Sequence, residues 1–417
     1  MPSFARLRVD LDRSHCSGPN RVSCIMRSTS SHAALSSTAP LVALLLFACE
    51  PTPSASTSES TNPTSDTDQT SASTSTSTSG PSTSSTATNT TESESSGGEV
   101  LQPGDDALVQ IFVGEHVYFG EENRRQIDVD VALPASGEYD EITLDFALNC
   151  PNGLCDHWDR YGTIGVVRWP GAEDEGYVEL ARFITAYRLP AAWTLDMTDL
   201  RPLLKGDTTI RVFIDTWVGP GHEQGEGWLV DASLNFHGGI PSPRAIEVYP
   251  LWYQSFSYGD PNNTVDSQVP SQSFTPPADA TSFKLRSHIT GHGFGNVDNC
   301  AEFCARAHGY QLNGGGGYTK TVWRDDCPET AVPDQLGTWK FPRAGWCPGA
   351  DVVPWLIDAT ETVLPGVENT VVYAVDEFEN SCRPGADPCV GCVGGTSCDD
   401  GHGLPYYYLS ALMIAYR

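Results

Sequence analysis

Positive charge is scarce in this chain of 417 residues. It carries 24 Lys and Arg against 53 Asp and Glu, a formal net charge of −29. Neutralising nucleic-acid phosphates needs Lys and Arg, so this balance argues against such a partner. Long apolar runs are missing as well. The one at residues 39–48 is too short to cross a bilayer as a helix of about 20 residues. Long amphipathic helical patterns are rare, which disfavours a helical bundle. Methionine is also rare: of 4 residues, only Met197 and Met413 fall in the part that reads as folded.

What is present at the N-terminus resembles an export signal. The run at residues 39–48 ends in Leu46-Phe47-Ala48-Cys49, a small residue followed by cysteine, like the lipobox of a bacterial lipoprotein with Cys49 as the lipidated residue. Met26-Arg27 would open a compact signal, so residues 1–25 read as an extension upstream of the true start, and 1–49 as signal and lipobox. An ordinary secretory signal with an incidental Cys49 is the alternative. Either places the protein outside the cytoplasm, secreted or anchored to the cell envelope by lipid. Residues 50–102 form a Ser/Thr-rich linker with too little apolar surface to offset its ordering entropy, and are expected to be disordered.

The rest is rich in β signals. Residues 127–133, 142–146, 209–214 and 370–375 are short, β-branched or aromatic runs, several alternating polar and apolar, with Gly, Pro, Asn and Asp between them. Residues 406–416 read as a buried last strand. The expected class is all-β, sandwich or jelly roll. The Gly- and Pro-rich stretch at 238–243 marks a boundary, giving an N-terminal unit at 103–240 and a C-terminal unit at 241–417, each long enough for one sandwich.

There are 13 cysteines. Setting aside Cys16 and Cys24 in the extension and Cys49 at the lipobox leaves an even set: Cys150, Cys155, Cys300, Cys304, Cys327, Cys347, Cys382, Cys389, Cys392 and Cys398. In an exported protein such a set reads as disulfides. The segment Cys150-Pro-Asn-Gly-Leu-Cys155 is a turn that a bond can close, since bonded cysteines hold their Cα atoms roughly 4.4–6.8 Å apart. A four-sulfur zinc site would need a second such pair and a different compartment. Trp158, Asp159 and Arg160 follow at once. Taken alone, Asp159 and Arg160 could be a structural ion pair at a strand entry.

A second ring, Cys300-Ala-Glu302-Phe-Cys304, would pin a carboxylate. So short a loop gains little stability from closure, less than the roughly 3 kcal/mol of a 15-residue loop, so preorganisation of Glu302 is its more natural use. Arg343 and Trp346 lie on a Pro- and Gly-rich turn whose Cys347 can bond back to Cys327. Asp215 and Trp217 end a strand. Carboxylates, arginines and tryptophans together suit a sugar site.

These residues carry a family resemblance. Cys150-Pro-Asn-x-x-Cys155-Asp-x-Trp158-Asp159-Arg160-Tyr161, Arg182-Phe-Ile-Thr-x-Tyr187, Cys300-Ala-Glu302-x-Cys304-x-Arg306 and Arg343-Ala-Gly-Trp346-Cys347-Pro-Gly349 resemble the peptide-N-glycosidase F family, in order from about residue 105 to 417. The resemblance implies two adjacent antiparallel eight-stranded jelly rolls with an active site between them. It implies hydrolysis of the amide bond between Asn and the first N-acetylglucosamine of an N-linked glycan, giving Asp and a glycosylamine. It makes Asp159 the principal catalytic acid, Glu302 its assistant and Asp215 the third acid. Arg160, Arg343, Trp158, Trp217, Trp346, Tyr187 and His292 become substrate contacts. The pairs Cys150–Cys155, Cys300–Cys304 and Cys327–Cys347 follow from it. N-glycosylated proteins or peptides become the partners of a monomer, with no metal or cofactor required.

The chain departs from the family in three places. Asp215 stands where the family has Glu, His292 and Phe294 stand where it has Trp and His, and residues 382–398 form a Gly- and Cys-rich insertion expected to hold two further disulfides. His288, His292 and His308 raise a copper-monooxygenase alternative on the same double jelly-roll architecture. It lacks a His-His pair, and strand residues four apart lie roughly 13 Å from each other. A glycan-binding protein without turnover is the remaining alternative, although a mere binder need not keep both acids.

Overall fold

The computed structural model of the chain describes residues 100–383 and 404–417. The export signal, Cys49, almost all of the linker, and Cys389, Cys392 and Cys398 lie outside the described residues.

Four sheets of antiparallel strand pairs make two sandwiches. In the first sandwich one sheet runs, edge to edge, Asn123–Arg124, Ala107–Phe119, Trp228–Gly238, Tyr139–Asn149 and Ala191–Asp196. The facing sheet runs Gln126–Leu133, Gly206–Ile214, Tyr161–Arg168 and Gly176–Ile184. In the second, Ala245–Ser257, Tyr406–Tyr416, Ser282–His292 and Trp355–Asp358 face Gln272–Phe274, Asn369–Val375, Arg306–Leu312 and Gly317–Val322. The all-β double sandwich expected from the sequence is what the chain forms. The first half carries one strand beyond eight, because the two-residue edge Asn123–Arg124 pairs with Tyr118 and Phe119.

Alternation explains the layers. Trp228–Gly238 and Gly206–Ile214 bury every second side chain, as a sheet with one solvated face requires. Phe112, Ile142, Leu144, Val212 and Leu234 fill the first core, and Leu285, Tyr310, Tyr373, Leu409 and Met413 the second. Four strands break this rule by burying both faces along most of their length: Tyr161–Arg168, Gly176–Ile184, Ser282–His292 and Tyr406–Tyr416. Here the two sandwiches press against each other.

The seam between the sandwiches is polar at its centre. Glu179 pairs with Arg182 at 2.9 Å and with His288 Nδ1 at 2.9 Å, and Arg182 Nη1 donates to Thr290 Oγ1 and to the Tyr408 carbonyl. Burial pushes the Glu179 carboxyl up, but Arg182 and His288 outweigh it and hold the group at about 2. Burial drives His288 down to about 4. A buried charge left without its partner is costly, so this triad fixes how the sandwiches meet. Both strands from the first sandwich end beside the candidate site: Asp159 lies two residues before Tyr161, and Tyr187 three after Ile184.

Candidate functional site

The segment carrying Asp159 is clamped from below. The Cys150–Cys155 disulfide forms with Cα atoms 4.2 Å apart. Next to it, fully buried Asp156 accepts hydrogen bonds from the Trp158 amide at 3.0 Å, Arg160 Nε at 2.7 Å and Thr216 Oγ1 at 2.7 Å. Thr185 Oγ1 accepts from the Arg160 amide and donates to the Trp158 carbonyl. The residues on both sides of Asp159 are thereby fixed, and Asp159 itself faces away from Asp156. The covalent ring alone does not hold the acid. Asp156 and Thr185 do most of it, and Asp156 was legible only as an acid four residues before Arg160.

Glu302 comes from the other sandwich. The Cys300–Cys304 disulfide forms as expected, with Cα atoms 4.9 Å apart. The Glu302 amide donates to the Gly293 carbonyl, and its carbonyl accepts from the Ala344 amide. That places its side chain against Arg343.

Arg343 joins the two acids. Its Nε donates to Glu302 Oε1 at 3.4 Å, and its Nη2 stands 3.8 Å from Asp159 Oδ2. The guanidinium is 1% exposed and lies between the Phe303 and Trp346 rings, 5.1 and 4.8 Å from their centroids. Nη1 donates to the carbonyls of Thr338 and Phe341, and Nη2 to Thr338 Oγ1. The backbone of Arg343 is paired in both directions with Arg324.

Tyr187 completes the group. It donates to Asp159 Oδ2 at 2.6 Å, and its amide donates to Gln335 Oε1 at 2.9 Å. Gln335 and Thr338 lie on the loop closed by the Cys327–Cys347 disulfide. Gly337, at φ +79°, sits so close to the Tyr187 ring that a Cβ there would be 3.1 Å from it. That close approach and the positive φ both favour glycine here.

The two carboxyls are unequal. Burial raises Asp159, opposed by the Tyr187 hydrogen bond and by the charge of Arg343. Burial, then the charge of Asp159, pushes Glu302 up to about 7 despite Arg343. The site therefore pairs an Asp159 carboxyl that has a dedicated donor in Tyr187 with a Glu302 carboxyl pushed up to about 7.

Other expected site residues fall elsewhere. Arg160 turns to Asp156, with only a small field at Asp159. Asp215 accepts from Arg125 Nη1 at 3.0 Å, and the Arg125 guanidinium lies over the Trp217 and Phe119 rings. The fields of Asp215 and Glu302 both reach Tyr406, but Asp215 makes no bond to either Asp159 or Glu302. Trp158 and Trp217 are about half exposed and offer open ring surface. Trp346 and His292 do not: both are buried, stacked on each other 5.3 Å apart, with Trp346 Nε1 donating to the Gly291 carbonyl and His292 Nε2 paired with Thr290 Oγ1. Trp346 lies against the Arg343 guanidinium, with His292 stacked on its ring. His288 and His308 are engaged by Glu179 and Tyr373. Cys382 is disulfide-bonded, and its expected partners lie outside the described residues.

The fold and site thus define a double β-sandwich protein in which two carboxyls, one from each sandwich, flank a buried guanidinium. Comparison with known proteins agrees. The family model for the C-terminal part of peptide-N-glycosidase F matches residues 260–387. The peptide-N(4)-(N-acetyl-beta-D-glucosaminyl)asparagine amidase F of Elizabethkingia miricola is 29% identical over 245 residues, which cover 56% of this chain and 66% of that protein. The chain so spans just under two thirds of that curated relative. A solved structure of PNGase F from Flavobacterium meningosepticum, described as a glycosylasparaginase, superposes with a TM-score of 0.62 at 22% identity, covering 75% of this chain and 96% of that one. The structure of PNGF-II gives 0.55 at 17% identity, covering 74% and 65%. The chain is thus similar to peptide-N-glycosidase F in sequence, with the family model matching residues 260–387, and in fold.

Proposed function

We propose that this protein is an amidase that releases N-linked glycans from proteins or peptides, cutting between the Asn side chain and the first N-acetylglucosamine. The observation that carries the reading is the placement of Arg343 between Asp159 and Glu302. Water adds to the side-chain amide carbon, the carbon–nitrogen bond breaks, and the nitrogen takes a proton. The products are Asp and a glycosylamine. Asp159, held in place by the Tyr187 hydroxyl, orients the water and in its ionised form deprotonates it. Arg343 stabilises the negative charge that develops on the carbonyl oxygen. Its Nη2 stands 3.8 Å from Asp159 Oδ2, too far for a direct hydrogen bond, so an oxygen seated beside the pair can bond to both. Glu302 holds the proton that the leaving nitrogen needs. The exposed rings of Trp158 and Trp217 are surfaces on which sugar rings stack.

The name of the Elizabethkingia relative supports the reaction class. The three disulfides formed among the described cysteines suit an exported protein, and Cys49 would supply the lipid anchor. The test is to incubate the purified protein with an N-glycosylated peptide and follow its mass. Loss of the glycan with conversion of Asn to Asp supports the reading. Glycopeptide bound tightly but returned intact points to a glycan-binding protein instead.

A further inference from the structure

Thr338 was not singled out by any sequence motif, yet it touches both Tyr187 and Arg343. Its Oγ1 accepts from Arg343 Nη2 at 2.8 Å and lies 3.4 Å from Tyr187 Oη. A guanidinium can only donate. The Thr338 hydroxyl proton is then free to point at Tyr187, whose own proton goes to Asp159 Oδ2 at 2.6 Å. With Tyr187 donating to Asp159, the Thr338 hydroxyl is the donor left for its contact with Tyr187.

Resting on the amidase reading above, we propose that Thr338 is a positioning residue that directs a hydrogen-bond chain from Arg343 through Tyr187 to Asp159. The groups that act on Asp159 are Tyr187 and Arg160 from its own sandwich and Arg343 from the other, with Glu302 coupled to it. Among the described side chains, Tyr187 is the one that donates a hydrogen bond to its carboxyl. A donor that itself receives a hydrogen bond is polarised and donates more strongly. Thr338 matters because it supplies that bond to Tyr187.

Replacing Thr338 by Val keeps the shape and removes the hydroxyl. Arg343 should stay in place, because its Nη1 holds the backbone carbonyls of residues 338 and 341 and its Nε holds Glu302. Thr338→Ser keeps the hydroxyl and drops the methyl.

The experiment titrates the isotope-labelled Asp159 carboxyl carbon by NMR in wild type, Thr338→Val and Thr338→Ser, and records the pH profile of kcat/KM for the same proteins. Thr338→Val should raise the Asp159 midpoint by about half a unit to one unit, move the acidic limb with it, and lower kcat about threefold to tenfold with KM little changed. Thr338→Ser should restore all three. An unchanged Asp159 midpoint in Thr338→Val overturns the proposal, as does Thr338→Ser behaving like Val, which would make the methyl packing the cause. If the wild type fails to cleave glycopeptide, the amidase reading fails, and the carboxyl titration still decides whether Thr338 acts on Asp159.

Discussion

Tyr187 donates its hydroxyl proton to Asp159 across 2.6 Å while its backbone N–H is held by Gln335 of the opposite sandwich. One residue therefore ties the acid of the first half to a loop of the second. Tyr187→Phe removes the donor and leaves burial of Asp159 less opposed. The expected result is a fall in kcat/KM of about tenfold at neutral pH, with the acidic limb moved to higher pH, as loss of one hydrogen bond to a charged group implies. A kcat/KM profile against pH checks it.

Glu302 sets the alkaline side. Its carboxyl titrates near 7, above the ordinary 4.5, so turnover should decline as pH rises through about 7 and the acid loses its proton. The same shift bears on stability. A carboxyl raised in the folded state contributes stability that is full below the unfolded value and is lost as pH rises through the folded one. From pH 4.5 to 7 wild type should lose up to roughly 3 kcal/mol at this residue, at about 1.36 kcal/mol per pKa unit. Glu302→Gln should remove that loss and be comparatively more stable at pH 8, while turning over poorly. Urea unfolding of both proteins across this range measures the difference.

The seam triad gives the opposite sign. Glu179 is held at about 2 and His288 at about 4, both below their ordinary values. The unfolded chain binds the extra protons, so stability is full above about pH 6.5. It is lost first as His288 protonates toward 4, then as Glu179 protonates toward 2. Glu179→Ala should cost about 3–5 kcal/mol at neutral pH, because Arg182 is left charged in the interior. Denaturant melts at pH 7 and pH 4 test the magnitude and the direction.

Arg125 is expected to affect binding rather than chemistry. It holds Asp215 at 3.0 Å and lies 4.4 Å from the Trp217 ring centroid, and it touches neither Asp159 nor Glu302 in the structure. Arg125→Ala should raise KM for a glycopeptide about threefold to tenfold and leave kcat nearly unchanged, the pattern of lost uniform binding. Steady-state kinetics on one glycopeptide separate the two.

Much of this was legible in the chain. Alternating β-branched runs marked the strands, and the largely apolar residues 406–416 marked a buried last strand. The two short cysteine rings drew attention to Asp159 and Glu302. What stayed hidden is what depends on three-dimensional approach. Thr338 and Gln335 sit in a loop with no motif, and nothing in the order of residues says that a loop closed by Cys327–Cys347 lies on a tyrosine from the other half. Arg160 follows Asp159 in the chain, yet neighbouring side chains diverge, and its ion-pair partner in the structure is Asp156. His292 and Trp346 looked like sugar contacts because aromatic residues near an acid suit that role. Their burial behind Arg343 could not be read from spacing.

The central claim is amide hydrolysis by acids that meet at Arg343. The most direct measurement is cleavage of an N-glycopeptide in heavy-oxygen water, locating the label by mass spectrometry, with wild type and Asp159→Asn side by side. The account expects the label in the newly formed Asp of the peptide with wild type, and no release with Asp159→Asn. A sugar left on the peptide's Asn, with the label only in the released glycan, or undiminished release by Asp159→Asn, would contradict it.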